Sequence, residues 1–152
     1  MTSNAIEFRT AVPDDLRQIL EILRLQLQEN SVAIAIEPLR LATLRMIERP
    51  ELGQILVAAR GDTLVGVAVL SFLWTLEHGG ATVWLDELYV DSRERRSGLG
   101  TKLLEAAMAI ARTRGCVALD LEVEPGHEAG VRLYERMGFR RLPRERWMCP
   151  LD

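Results

Sequence analysis

Three β-like segments follow one another between Gln54 and Val90, and the next is reached only through a helix; this order constrains the fold more than any other feature. Gln54 to Arg60 and Leu64 to Leu73 are rich in β-branched and small apolar residues, with Gly61-Asp62 between them. That spacing reads as a hairpin. His78-Gly79-Gly80 makes the next turn, and Ala81 to Val90 forms the third strand of the run. Tight turns join antiparallel neighbours. A helical pattern then places Leu99, Leu103, Ala107, Ile110 and Ala111 on one face and stops at Gly115, before a further strand at Cys116 to Val123. A strand–helix–strand unit is the crossover that a parallel pair needs. The expected fold is therefore a mixed sheet of α/β or α+β type.

The flanks fit this reading. Ile6 to Val12 is a short strand. Pro13, Asp14 and Asp15 suit a helix start, because proline tolerates the first turn and acids favour its dipole. Leu16, Ile19, Leu20, Leu23 and Leu27 follow at helical spacing. Asn30 to Glu37 is irregular, and a second helix is expected from Pro38 to Glu48. A late helix carries Val131, Leu133, Tyr134 and Met137; Gly138-Phe139 ends it and opens a final strand pair, with Trp147 to Leu151 last. The chain, residues 1–152, suits one domain around one core.

Bulk properties narrow the partners. The net charge of −3 argues against nucleic acid, whose phosphates select basic surfaces. No apolar run is long enough to span a bilayer, and MTSNAIEFRT lacks a signal core, so no membrane partner and a cytoplasmic location are expected. Cys116 and Cys149 lack metal-ligand spacing and read as reduced thiols, with a disulfide as the alternative.

Within this acidic chain, Arg95-Arg96-Ser97-Gly98-Leu99-Gly100-Thr101 sits between a strand and a helix. The first N–H groups of a helix lack intrahelical partners, and glycines let a ligand approach the backbone. The stretch therefore reads as an anion site, phosphate above all. A Walker A loop would need Gly-Lys-Ser/Thr, whereas the order here is Gly100-Thr101-Lys102. A dinucleotide fingerprint would need glycine at position 103, which is Leu103.

Together with Leu85-Asp86-Glu87-Leu88-Tyr89-Val90 before it and Gly130-Val131-Arg132-Leu133-Tyr134-Glu135-Arg136-Met137-Gly138-Phe139 after it, the stretch resembles the GNAT superfamily of N-acetyltransferases. The resemblance implies a central, mostly antiparallel sheet flanked by about four helices, with splayed fourth and fifth strands. It implies acetyl-CoA as cosubstrate and no metal. The amides from Arg96 to Thr101, with Arg95 beside them, would cradle the pyrophosphate, and main-chain groups of Leu88, Tyr89 and Val90 would bind the pantetheine arm as an added strand. The chain departs from the family at His127, where asparagine is usual, and at Gly130, where alanine is usual. His127 either replaces the asparagine's contact with CoA or caps the helix.

Direct attack by an amine, through a tetrahedral intermediate, needs a base for the amine, a donor for the oxyanion and an acid for the thiolate. The resemblance assigns Tyr134 as the acid and either Glu122 or Glu87 as the base. A main-chain N–H near Leu88 is the expected oxyanion donor. Strand alternation sets Asp86 and Glu87 on opposite faces, and a glutamate flanked by apolar residues is expected to gain a pKa nearer neutrality. Acceptor pockets in the family draw on segments that correspond to Glu29–Pro38 and Arg140–Arg146. Asp86, Glu87, Glu122, Glu124 and Glu128 around the cleft favour a small cationic amine. The alternatives are a non-catalytic acyl-CoA sensor and a protein or peptide N-acetyltransferase. The resemblance also admits a homodimer.

Overall fold

The computed structural model describes residues 5–151. They form two compact units, one ending at Glu122 and one beginning at Val123. In the first unit the order is β1 (Ile6–Thr10), α1 (Leu16–Glu29), α2 (Ile36–Glu48), β2 (Gly53–Arg60), β3 (Thr63–Thr75), β4 (Gly80–Val90), α3 (Leu99–Thr113) and β5 (Ala118–Asp120). The five strands lie in sequence order in one sheet. The pairs from β1 to β4 are antiparallel and β4–β5 is parallel, the mixed sheet expected from the turns and the crossover.

One face of the sheet buries α1, with Leu39, Met46 and Ile47 of α2 beside it, and the other buries α3. Ile19, Ile22 and Leu23 of α1 pack with Ile55, Val57, Val67, Val69 and Tyr89. On α3 the buried residues are Leu99, Leu103, Leu104, Ala107 and Ala111. A Cβ on Gly66 of β3 would sit 3.4 Å from Leu103 Cδ2, which places Gly66, Ala68 and Leu70 of β3 on the α3 face.

The register of β3 against β4 slips once. Leu70 faces Leu85, but Val69 faces Glu87, so Asp86 is an extra residue in β4. Such a bulge reverses the alternation beyond it. Leu85 faces the α3 side with Leu70, whereas Glu87 and Tyr89 face α1 with Val69 and Val67. Asp86 accepts a hydrogen bond from Ser71, which lies two residues from Val69. Asp86 and Glu87 therefore share the α1 face, contrary to simple alternation.

Beyond Trp84 and Asp120 the two strands no longer pair, so β5 is shorter than the Cys116–Val123 segment expected of it. This divergence is the splay that the resemblance implied.

In the second unit α4 (Glu128–Arg136) is followed by Gly138 at φ +89°, and Phe139 N–H reaches back to Tyr134 C=O at 3.0 Å. The expected final strand pair is not formed among the described residues. Pro143 and Pro150 cannot donate to a ladder, and four arginines lie between positions 140 and 146.

The entry into α1 rests on one buried acid. Asp15 receives Arg9 Nη1 at 2.7 Å, Arg9 Nη2 at 2.9 Å and the Val12 N–H at 2.8 Å. The Arg9 hydrogen bonds hold its carboxyl below the usual carboxylate range, and the Val12 amide helps against the opposing effect of burial. A carboxyl with a lowered folded pKa contributes stability above its unfolded pKa, and that stability is lost as pH falls through the folded value. Asp15→Asn is expected to cost about 1.5–3 kcal/mol near neutral pH. In urea titrations the gap between wild type and variant should narrow below about pH 4.

Candidate active site

The bulge gives β4 its chemistry. Glu87 lies half-buried beneath α1, beside the Gln26 side chain. Burial pushes Glu87 up to about 7; the neighbouring Asp86 charge and the Glu122 charge add to the rise, and the Gln26 hydrogen bond opposes it. Glu122 itself is exposed, two residues beyond β5. Of the two glutamates, Glu87 is the half-buried one.

Main-chain directions follow from one hydrogen bond. Asp91 N–H donates to Val65 C=O at 2.9 Å, and residues of an antiparallel strand alternate between turning toward one neighbour and toward the other. Tyr89 and Asp91 therefore turn their main-chain groups to β3. Leu88 and Val90 turn theirs to the side where β5 has left the sheet. Val90 C=O already accepts from Arg95 Nε at 3.0 Å, which leaves the Leu88 groups facing the gap. Tyr89 instead contributes its ring to the α1 face.

The basic loop is held in shape by its neighbours. Asp91 Oδ1 accepts the Arg93 N–H at 2.9 Å, and Ser97 Oγ donates to Glu94 C=O at 2.6 Å. Arg60 grips Glu94 with both terminal nitrogens, at 2.5 and 2.8 Å. Arg96 and Gly98 have φ of +65° and +80°, and space is open where a Cβ on Gly98 would lie. The first helical bond runs from Lys102 N–H to Gly98 C=O at 3.1 Å, so the amides before it stand outside the helical ladder. Leu99 is buried as an anchor, while Gly100 and Thr101 begin the open first turn.

The two arginines differ. Arg95 Nη2 lies 3.1 Å from each oxygen of Glu29, and its guanidinium stacks 5.1 Å from the Tyr89 ring centre. Tyr89 OH donates to the same Glu29 at 3.2 Å. Arg95 thus ties the end of α1 to the end of β4. Arg96 is exposed and takes part in no ion pair among the described residues. The loop's geometry fits a pyrophosphate, with unpaired amides at a helix start, a glycine turn and one uncommitted cation.

After α1, Ser31 takes φ +55°, and Val32, Ile34 and Ile36 are each about half exposed. Together with Arg24, Leu27 and Gln28, residues 32–35 line a cleft of about 380 Å³. This is the segment in which an acceptor contribution is expected.

In the second unit Tyr134 is half-buried on α4, with its ring edge-on to Phe139 at 5.6 Å. His127 precedes α4 and makes no side-chain capping bond; its carbonyl accepts the Val131 N–H at 3.1 Å instead. A Cβ on Gly130 would lie 3.0 Å from His127 Cε1 and Nδ1. The two departures from the family pattern are therefore one feature, because glycine makes room for the imidazole.

Gln26 and the Glu29–Tyr89–Arg95 contact were not foreseen. Gln26 had a signal: it stands three residues after Leu23, on the stripe of α1 that otherwise buries apolar side chains.

The model of the acetyltransferase (GNAT) family matches residues 17–139, and the chain belongs to that family. Over 91 residues it is 42% identical to the mycothiol acetyltransferase of Thermobispora bispora, covering 56% of this chain and 29% of that protein. Over 94 residues it is 30% identical to the thialysine N-epsilon-acetyltransferase of Mus musculus, covering 59% of this chain and 53% of that protein. The matched region thus spans about half or less of these relatives. The crystal structure of a possible acetyltransferase from Clostridium difficile 630 shares the fold, with a TM-score of 0.83 at 21% identity over 97% of this chain and 98% of that one.

Gly130→Ala should gain helix propensity of about 0.5–1 kcal/mol, less the crowding of His127. The gain is expected to be larger in a His127→Asn background, with a coupling of about 0.5–1 kcal/mol in a double-mutant cycle of thermal stability.

Proposed function

We propose that the chain is an acetyltransferase domain that moves the acetyl group of acetyl-CoA to the primary amine of a small cationic acceptor. One observation carries this reading: Glu87, tuned to about 7, shares a face with Asp86 beside the stretch of β4 that β5 leaves unpaired. A base that must accept a proton at neutral pH works best with a pKa near that pH. The surrounding carboxylates favour a positively charged acceptor. The name of the thialysine N-epsilon-acetyltransferase supports an amine of that kind.

Acetyl-CoA supplies the acyl group as an activated thioester. Amides from Arg96 to Thr101 hold the pyrophosphate, with Arg96 adding charge and Arg95 bracing the loop through Glu29 and Val90. Leu88 receives the pantetheine arm on its outward main-chain groups, and its N–H steadies negative charge on the carbonyl oxygen. Glu87 takes the proton of the attacking amine. Glu122 acts on Glu87 through its charge, and Asp86 attracts the cationic acceptor. Tyr134 gives a proton to the departing sulfur, a role that rests on its motif alone. His127 stands where family members use asparagine toward CoA, and we assign it that contact.

A thiol-release assay with acetyl-CoA and a panel of diamines, polyamines, lysine analogues and aminoglycosides tests the reading, and silence across the panel would refute it. Glu87→Gln should lower kcat/KM by about 10²–10⁴-fold. The base works deprotonated, so wild-type kcat/KM should rise with pH through about 7. Glu122→Gln removes a charge that raises the Glu87 pKa, so it should keep turnover and move this limb to lower pH. In calorimetry with acetyl-CoA, Gly98→Val should weaken binding by about tenfold or more, because a β-branched residue resists positive φ. Arg95→Ala should weaken it only a few-fold, since Arg95 is committed to Glu29.

A further inference from the structure

The turn between β3 and β4 carries metal-ligating side chains that the proposed reaction leaves unused. His78 Nε2 lies 2.8 Å from Asp120 Oδ2 of β5 and 3.8 Å from Glu77 Oε1. One ligand atom from each of the three residues lies within 4.8 Å of the other two. His78 and Asp120 are half-buried and Glu77 is exposed. The cluster joins two parts of the sheet, because Asp120 stands opposite Trp84 in the last β4–β5 pair. Elsewhere carboxylates meet arginines, as Asp15, Glu94 and Asp91 do. Asp120 pairs with no arginine or lysine among the described residues; its partner is the imidazole.

We propose that Glu77, His78 and Asp120 form a binding site for a divalent first-row transition-metal ion such as Zn²⁺, which fastens the β3–β4 turn to β5. Two carboxylates converging on one imidazole supply a nitrogen lone pair and two negative charges, a donor set that suits such an ion. Mg²⁺ and Ca²⁺ take oxygen ligands and gain little from the ring. Ligand atoms about 2.1 Å from a shared ion stand roughly 3.0–3.4 Å apart in octahedral or tetrahedral geometry. The separations of 2.8 and 3.8 Å bracket that range, and rotation of the exposed Glu77 side chain adjusts the third.

To bind the ion, His78 carries its ring proton on Nδ1 and presents the Nε2 lone pair. The hydrogen bond to Asp120 is then exchanged for one bond from each residue to the metal, and water fills the remaining positions. All three ligands belong to the first unit. No step of the proposed acetyl transfer uses them, so the site stands or falls independently of that reading.

The test titrates the chelator-treated full chain with Zn²⁺ in calorimetry, with Mg²⁺ as the comparison and with neither acetyl-CoA nor amine present. Wild type should bind one Zn²⁺ per chain, and its Tm should rise with Zn²⁺ concentration. Losing a supporting partner of a metal ligand costs about tenfold or more in affinity, so His78→Gln and Asp120→Asn, which remove ligands, should cost at least that. The chain has two histidines and two cysteines, so His127→Asn and exposed Cys149→Ser serve as controls and should keep the wild-type affinity. A second measurement needs no variant and decides the matter if His78→Gln or Asp120→Asn fails to fold. Mn²⁺ should broaden the NMR signals of the His78 ring at concentrations that leave the His127 ring sharp. The absence of saturable Zn²⁺ binding below about 1 mM would overturn the proposal. So would an affinity that survives His78→Gln or Asp120→Asn, or one lost in His127→Asn or Cys149→Ser. Mg²⁺ binding as tight as Zn²⁺ binding, or equal broadening of both rings, would overturn it as well.

Discussion

The bulge at Asp86 divides β4 into a part that builds core and a part that builds the site. Before it, Leu85 faces α3 across from Leu70. After it, Glu87 and Tyr89 face α1. Without the extra residue Glu87 would continue the α3 face, among Leu103 and Leu104, which are fully buried. A carboxylate there would lose its hydration and gain no donor, at a cost of several kcal/mol. With it, the same glutamate meets the Gln26 amide and keeps a pKa near neutrality. The bulge also coincides with the loss of pairing to β5, so the facing of Glu87 and the open edge arise from the same local event.

The basic loop divides labour between side chains and main chain. Arg60, Arg93 and Arg95 are each engaged by a carboxylate: Glu94, Asp91 and Glu29. They fix the path of the chain and leave few charges to attract anions directly. On the proposed reading, affinity for an anion would fall to oriented amides at a helix start, whose partial charges do not depend on the net charge of the protein.

Much of this was legible from residue order. Glycines at 61 and 79 marked the turns, both with positive φ, and the strand–helix–strand unit forced the parallel step. The loop announced itself by glycines and arginines at a helix start. The bulge was harder to see, although adjacent Asp86 and Glu87 between apolar pairs break the period of two. A single inserted residue changes facing without changing composition, so alternation alone misassigned Asp86. The difference in burial between Glu87 and Glu122 could not be read from sequence, because burial by α1 is a long-range property. The segment after Phe139 misled in the opposite direction: Trp147 and Met148 read as strand residues, yet both are largely exposed and join no ladder.

The contact between His127 and Gly130 has a consequence for how such a pair can arise. Glycine at 130 tolerates either asparagine or histidine at 127, whereas alanine would press its Cβ to 3.0 Å from the imidazole. Starting from the usual asparagine and alanine, the two substitutions are therefore not interchangeable in order. The route through glycine first passes no crowded state, though it gives up helix propensity for a time. The route through histidine first must cross one. A route that vacates the space before the ring arrives avoids that crowding.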